Sequence, residues 1–170
     1  PFLALTLEQI GGQLRTKVDG AWRLHQQTLA KALRHFVLFS STTALLGVAN
    51  LGHYAAANAA LDALAFQRRA EGLPALSINW GTWDVMRVAS ASEQANVSAH
   101  GLRQMDSSTA LSLMMSVLNT DTPQIVIADV EWNRLKPLYE ARRPRPFLAE
   151  VADMPTETDR MTVPVETNRA

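Results

Sequence analysis

The chain has 170 residues, which is long enough for one domain with its own core. Sixteen Lys and Arg balance sixteen Asp and Glu, so no excess of basic charge favours binding to nucleic acid. The absence of cysteine excludes a disulfide framework and thiolate chemistry. No apolar run approaches the ~18 residues of a membrane span, and residues 1–15 do not resemble a signal peptide. These features favour a cytoplasmic protein.

Helical and strand patterns alternate along the chain, which is typical of an α/β protein. In chain order they predict a helix over 6–34, a strand over 36–40, a helix over 51–71, a strand over 75–79, a helix from Ser107 or Ser108 to about 119, and a strand over 123–129. The Gly11–Gly12 pair weakens the first helix and leaves open whether it is two helices. Residues 42–50 are predicted as a loop, and 80–106 as a loop with some helix.

The three strands are continuous apolar runs, which favours a parallel sheet covered on both faces. Three strands are few for such a sheet, so we interpret the pattern as the C-terminal half of a doubly wound α/β fold. After about Arg142 the sequence becomes basic and proline-broken, and then rich in Thr, Glu and Pro. We therefore predict a domain over 1–142 and a flexible linker or disordered tail over 143–170.

Lys17 interrupts an otherwise apolar pattern in the first helix. The residues at helical spacing are Leu7, Ile10, Leu14, Lys17, Ala21 and Leu24. One interpretation is that the lysine stem packs while its ammonium reaches solvent. The alternative is that the ammonium lies in a partly dry cleft, where it lowers the pKa of a neighbouring group.

Ser41, Tyr54 and Asn58 are polar residues placed where a ligand is expected. Ser41 directly follows a strand, and ligands of open α/β sheets bind beyond the carboxyl ends of the strands. Tyr54 and Asn58 are one turn apart at the start of the second helix. Each also has an ordinary explanation, as a loop serine bonded to its own backbone or a buried tyrosine satisfied by an amide. Together with Lys17 they place four hydrogen-bonding groups at one edge of the sheet.

The blocks "KVDGAWRLHQQT", "FVLFSS" and "YAAANAALDALAFQRRAEGLPALSINWGTW" resemble the ketoreductase domain of modular type I polyketide synthases. This family is a branch of the short-chain dehydrogenase/reductase superfamily, with a Rossmann-like fold, and the resemblance covers about residues 3–150. It implies an active-site tetrad of Lys17, Ser41, Tyr54 and Asn58. Most other members of the superfamily carry Y-x-x-x-K on this helix, whereas here Tyr54 is followed by Asn58.

The resemblance implies NADPH-dependent reduction of a β-ketoacyl thioester to the β-hydroxyacyl form. The implied partners are an acyl carrier protein domain and the remainder of the same synthase chain. Tyr54 would be the general acid, Lys17 would lower its pKa, and Ser41 would bind the carbonyl oxygen. Asn58 would position Lys17 or a water. Tyr54, Lys17, Trp80 and Gly81 would contact the cofactor, and no metal is expected.

Two further features carry expectations from the family. Residues 84–106, with Met86 and Met105, match a mobile lid over the substrate, although packing would explain the methionines equally well. Leu46 lies eight positions before Tyr54, where one stereochemical class of the family has tryptophan. Its absence favours the D-configured alcohol.

No glycine-rich phosphate loop occurs in these 170 residues, so we expect the isolated segment to be inactive. The upstream strands and cofactor fingerprint of the family would lie outside it. Two alternatives to the reductase remain. One is a catalytically silent domain kept for architecture, against which the intact tetrad argues. The other is a short-chain dehydrogenase that acts on free small molecules. The presence of Asn58 where most of the superfamily has lysine argues against it, and so does the linker-like tail.

Overall fold

A computed structural model describes residues 6–84 and 101–151 of the chain. These residues form two compact units. The first contains residues 6–84 and 104–129, and the second contains residues 101–103 and 130–151. Within the described ranges, no helix is long and apolar enough to cross a membrane.

The elements alternate between helix and strand for most of the chain. In order they are α1 (Leu7–Leu14), a π-helical turn (Arg15–Asp19), α2 (Gly20–Thr28), β1 (Val37–Ser41), α3 (Thr43–Leu46), α4 (Gly52–Ala70), β2 (Leu76–Trp80), β3 (Thr82–Trp83), β4 (Leu102–Met105), α5 (Ser107–Val117), β5 (Gln124–Ile127), β6 (Asp129–Val130), α6 (Trp132–Glu140) and a 3₁₀ turn (Pro146–Leu148). This order confirms the predicted α/β class.

The main sheet is parallel and has the strand order β1-β2-β5. All five residues of the central strand β2 are buried, as expected for a strand covered on both faces. Leu38 packs with Leu61 and Ala65 of α4 in one core cluster, while Ile78 packs with Ala110 of α5 in another. The three strands run in the same direction, so their carboxyl ends meet at one edge. There Ser41 lies opposite Trp80, and Trp80 lies opposite Ile127.

The first helix is not broken at the glycine pair, and it ends earlier than predicted. It continues through Gly11 and Gly12, and the irregularity is instead the π turn at Arg15–Asp19. A glycine costs a helix only about 1 kcal/mol, which neighbouring structure can supply. The helix also ends at Thr28 rather than at residue 34. The Thr28 hydroxyl donates to Leu24 O at 2.7 Å and receives a contact from Arg68 Nη1 at 3.4 Å.

Three other boundaries were placed wrongly. Residues 42–50 include the short helix α3. Asp106, not Ser107 or Ser108, caps α5, because its carboxylate accepts from Thr109 N at 2.9 Å. The hydroxyl and amide donors of Ser108 and Thr109 also lower the pKa of Asp106. The run 123–129 is divided between β5 and β6.

The second unit contains a helix that the sequence pattern did not reveal. Pro137 lies inside α6 and obscures its helical signal, yet Leu135 of the same helix is fully buried. Leu148 is also buried, and Lys136 Nζ donates to Val151 O at 3.0 Å. Residues up to 151 are therefore bonded to α6. The proposed domain boundary near 142 stays a prediction, and the tail over 152–170 lies outside the described residues.

Candidate active site

Lys17 turns its ammonium inward from the π turn between α1 and α2. Its Nζ donates to Asn58 Oδ1 at 2.7 Å and to Phe39 O at 2.9 Å. Lys17 is half-buried, and burial lowers its pKa, while the negative charge of Asp62 opposes that shift. The lysine therefore lies in a partly dry environment and bridges β1 and α4. The ammonium thus bonds within the protein rather than reaching solvent, and its effect on the pKa of a neighbouring group stays a prediction.

Tyr54 and Asn58 lie on the first turns of α4, as predicted. Asn58 is fully buried and fixed at both ends of its amide, because it accepts from Lys17 and its Nδ2 donates to Tyr54 O at 2.8 Å. Tyr54 is half-buried, and Lys17 Nζ lies 5.4 Å from the centre of its ring. The structure thus brings Lys17, Tyr54 and Asn58 together in direct contact.

Ser41 lies at the carboxyl end of β1 and is largely buried. Its Oγ accepts from Thr43 N at 3.2 Å, which is the local turn geometry of a loop serine. The preceding residue, Ser40, donates from Oγ to Asn58 O at 3.2 Å and so ties the strand end to α4. Ser41 lies two residues after Phe39, whose carbonyl oxygen accepts from Lys17.

Trp80 is the last residue of the central strand, and Gly81 follows it. The Trp80 side chain packs in the core, with its ring centre 5.4 Å from that of Phe39 and 4.8 Å from that of Trp83. Its buried Nε1 finds no hydrogen-bond partner among the residues that the structure describes. Trp80 O accepts from Thr42 N, and Gly81 N donates to Ile127 O. A Cβ at Gly81 would lie 2.8 Å from Ala128 Cβ, so the close approach of the chains requires glycine there. The cofactor role of both residues stays a prediction.

The two methionines of the predicted lid have different outcomes. Met105 is buried in the core cluster beside Trp80, where it serves packing. Met86 lies outside the described residues. Within residues 6–84 and 101–151, no group of three His, Asp or Glu residues converges in a way that could hold a metal ion.

A buried polar network behind the site was missed at the sequence level. Asn79 Nδ2 lies 2.9 Å from Asp62 Oδ2, 3.0 Å from Ser40 Oγ and 3.2 Å from Ser41 O. Ser77 Oγ donates to Asp62 Oδ1 at 2.5 Å. The available signal was the polar members of two otherwise apolar elements, since Ser77 and Asn79 alternate with apolar residues in β2 and Asp62 follows Leu61 in α4.

Comparison with known sequences identifies the family. The family model of the KR domain matches residues 1–85, which is half of the chain. The chain belongs to the ketoreductase domains of modular polyketide synthases. An A-type ketoreductase from a modular polyketide synthase is 36% identical, with a TM-score of 0.86 over 90% of this chain and 32% of that one. The first ketoreductase of the tylosin synthase is 43% identical, with a TM-score of 0.75 over 82% of this chain and 31% of that one.

Curated relatives of this ketoreductase segment are much longer proteins. Mycoketide-CoA synthase of Mycobacterium tuberculosis is 35% identical over 91% of this chain and 4% of its own length. Erythronolide synthase EryA3 of Saccharopolyspora erythraea is 42% identical over 79% of this chain, again 4% of its own length. The segment therefore spans about a third of the solved ketoreductase chains and a small fraction of the synthases.

Proposed function

We propose that this chain carries the proton-donating and substrate-positioning groups of a ketoreductase that reduces a β-ketoacyl thioester to the β-hydroxyacyl form with NADPH. The observation that carries the proposal is the Lys17–Asn58–Tyr54 arrangement, in which an inward-facing ammonium is held against the ring of a half-buried tyrosine. Membership of the ketoreductase family supports the same reaction class.

NADPH would supply the hydride that attacks the ketone carbon. As the carbonyl oxygen gains negative charge, it takes the proton of the Tyr54 hydroxyl, so that the alcohol and a phenolate are formed. Tyrosine ordinarily has a pKa near ~10, which makes it a weak acid at neutral pH. A group that stabilises the phenolate is therefore needed beside it.

Lys17 fulfils that requirement by charge and by position. Two of its three protons are engaged by Asn58 Oδ1 and Phe39 O, and its Nζ lies 5.4 Å from the Tyr54 ring centre. A cation at this position would stabilise the negative charge that Tyr54 takes on as it gives up its proton. Because both direct partners are neutral oxygens, the positive charge is not cancelled locally and acts on Tyr54.

Ser41 and Asn58 would orient the reacting groups. Ser41 is the last residue of β1, where its hydroxyl would donate to the substrate carbonyl oxygen and hold it in place for proton transfer. Asn58 is fully buried and fixes Lys17 through its Oδ1. Its role is thus to position the ammonium, which is the first of the two roles expected from the sequence.

The residues present fit one end of the cofactor only. Lys17 Nζ donates to Phe39 O within β1 and Tyr54 lies in the first turn of α4, beside a parallel sheet of the kind that binds nucleotides beyond its carboxyl edge. They would hold the hydroxyl-bearing sugar next to the nicotinamide, with Trp80 and Gly81 beside it. A glycine-rich phosphate loop is not found in the 170 residues. The segment would therefore act with the remainder of its synthase chain, in the cytoplasm, on substrate carried by an acyl carrier protein domain.

The test is turnover by the complete ketoreductase domain that contains this segment. We expect it to oxidise NADPH faster than NADH with a β-ketoacyl thioester, and to prefer a substrate attached to a carrier protein over the corresponding free ketone. Ser41→Ala should lower turnover in the same assay. No consumption of either cofactor would support the architectural alternative, and equal turnover of a free ketone would support a dehydrogenase of small molecules.

The product should be the D-configured alcohol. Leu46 lies on α3, between β1 and α4, and leucine is smaller than the tryptophan found there in one class of the family. A smaller side chain would obstruct one direction of substrate entry less. Chiral analysis of the β-hydroxyacyl product decides the point, and a predominance of the L alcohol would overturn it.

A further inference from the structure

Asp62 is a buried carboxylate on α4, one helical turn after Asn58. Only 7% of the residue is exposed. Its two oxygens are held by neutral donors, with Ser77 Oγ at 2.5 Å from Oδ1 and Asn79 Nδ2 at 2.9 Å from Oδ2. A negative charge removed from water is costly when its close partners are neutral. A side-chain amide has a single acceptor oxygen and could not accept at both positions, so this arrangement suits a carboxylate.

The neutral donors extend from Asp62 to the active site. Asn79 Nδ2 is also within 3.0 Å of Ser40 Oγ and 3.2 Å of Ser41 O, and Asn79 Oδ1 accepts from Gln124 Nε2 at 2.8 Å. Ser40 Oγ in turn donates to Asn58 O at 3.2 Å. This chain of contacts links the carboxylate to the backbone of both Ser41 and Asn58. All four residues from Asp62 to Asn58 along it are buried.

The negative charge of Asp62 acts on the Lys17 ammonium. Lys17 is half-buried and bonds directly to two neutral oxygens, Phe39 O and Asn58 Oδ1. Burial lowers the pKa of Lys17, and the opposing contribution comes from Asp62. The carboxylate therefore favours the charged lysine without bonding to it. A direct ion pair would instead offset the positive charge that acts on Tyr54.

We propose that Asp62 is a positioning residue of the ketoreduction site, whose buried charge stabilises the Lys17 ammonium and whose contacts through Asn79 and Ser40 fix the backbone of Ser41 and Asn58. The inference rests on the proposed function, because Asp62 acts through the tetrad and does not touch substrate.

The first test is Asp62→Asn in the complete ketoreductase domain. The variant keeps the size of the side chain, removes its charge and replaces one of its two acceptor oxygens by an NH2 group. We expect kcat to fall on the alkaline side of the pH optimum, with kcat near neutral pH and KM little changed, because the Lys17 ammonium loses the charge that opposes its deprotonation. The alkaline limb of the pH–rate profile should move to lower pH, because Lys17 then loses its proton more easily.

Ser77→Ala is the matched control. It removes the hydrogen bond to Asp62 Oδ1 and leaves the carboxylate charged. It should lower the midpoint of unfolding while the alkaline limb stays where it is in the wild type. A shifted limb in Ser77→Ala, or an unshifted limb in Asp62→Asn, would overturn the proposal.

Asn79→Ala gives a second test if Asp62→Asn does not fold. It keeps the charge of Asp62 and cuts the contacts to Ser40 and Ser41. We expect a lower kcat with no movement of the alkaline limb, and a wild-type kcat would contradict the positioning role.

Tyr54→Phe distinguishes a failure of the proposed function from a failure of the role of Asp62. If Tyr54→Phe is active, the proposed function fails, whereas an inactive Tyr54→Phe beside an Asp62→Asn variant with the wild-type pH–rate profile refutes only the role of Asp62.

Discussion

The two ends of α4 each hold a cation against the neighbouring helical segment, and they do so differently. At the first end, Lys17 is half-buried and bonds to Asn58 Oδ1 and Phe39 O. At the far end, Arg68 is fully buried, donates from Nε to Pro74 O at 3.1 Å, and has Nη1 3.1 Å from His25 Nδ1. Burial lowers the pKa of both cations.

The surroundings of the two cations assign them different tasks. The Arg68 guanidinium is covered by the Phe36 ring at 3.8 Å and enclosed by His25 and Thr28 of α2. Its contacts are all to structural groups, so it fastens α2 to α4. Lys17 instead points toward Tyr54 and is supported by the charge of Asp62. Arg68 is thus enclosed by structural groups, whereas Lys17 lies beside the tyrosine to which we assign the proton transfer.

Removing Lys17 should have the largest effect on activity. In the complete domain, Lys17→Ala should lower turnover by about 10²–10⁴-fold, the usual worth of general acid catalysis. Its pH optimum should move upward, because Tyr54 loses the cation that favours its phenolate. This shift is opposite to the one expected for Asp62→Asn. The pH–rate profile measures it, and an unchanged profile would remove the electrostatic role from Lys17.

Removing Arg68 should affect stability and leave catalysis intact. Arg68→Met keeps an apolar stem over Phe36 but leaves Pro74 O and His25 Nδ1 without their donor, at about 1–3 kcal/mol for each unsatisfied group. We expect the free energy of unfolding to fall by at least ~2 kcal/mol, with turnover per folded molecule unchanged. Denaturant unfolding of the complete domain measures this change.

Arg69→Met is the matched control for Arg68. Arg69 pairs at 3.6 Å with Asp121, whose side chain is fully exposed, and such surface pairs contribute about 0–1 kcal/mol. Its substitution should therefore be milder than that of Arg68. Equal losses in the two variants would show that the Arg68 contacts are not the reason for its effect.

The ring under Arg68 should contribute a smaller part of this stability. Phe36→Leu keeps an apolar side chain in the partly buried site and removes the ring that lies 3.8 Å from the guanidinium. Cation–π contacts are worth about 0.5–2 kcal/mol, so the loss should be smaller than for Arg68→Met. In an Arg68→Met background the substitution should cost less, because the cation is already gone. Additive losses in the double mutant would contradict the contact.

The smallest expected effect is a pH dependence of stability from Lys17. Its folded pKa is lowered, so below the ordinary lysine value the unfolded chain binds more protons than the folded one. Stability from this group therefore rises with pH through the window between the lowered pKa and about 10.4. Unfolding free energies of wild type and Lys17→Met, compared across that window, should differ in slope, with the wild type rising more steeply. Parallel curves would indicate that Lys17 is not desolvated.

The sequence predicted most of the elements that carry the site. Apolar runs located β1, β2 and β5, because continuous burial leaves a simple signal, and Tyr54 and Asn58 share the start of α4 because one helical turn separates them. Short elements were not predictable in this way. The helix α3 has only four residues, and Pro137 hides the pattern of α6.

The parts of the site that were not predicted depend on contacts between distant residues. Asp62 and Asn79 are 17 positions apart, and nothing local in either stretch indicates that they hydrogen-bond. The inward direction of Lys17 likewise depends on acceptors 22 and 41 positions away. Spacing places a polar residue on a face, whereas its partner is decided by how the elements pack.

The most direct measurement of the central claim is the single-turnover rate of Tyr54→Phe in the complete ketoreductase domain, with NADPH and a carrier-bound β-ketoacyl thioester. The substitution removes one hydroxyl from a half-buried ring and leaves the ring beside Lys17. We predict a rate lower by about 10²–10⁴-fold, with an unfolding midpoint close to that of the wild type. A wild-type rate in the folded variant would contradict Tyr54 as the proton donor.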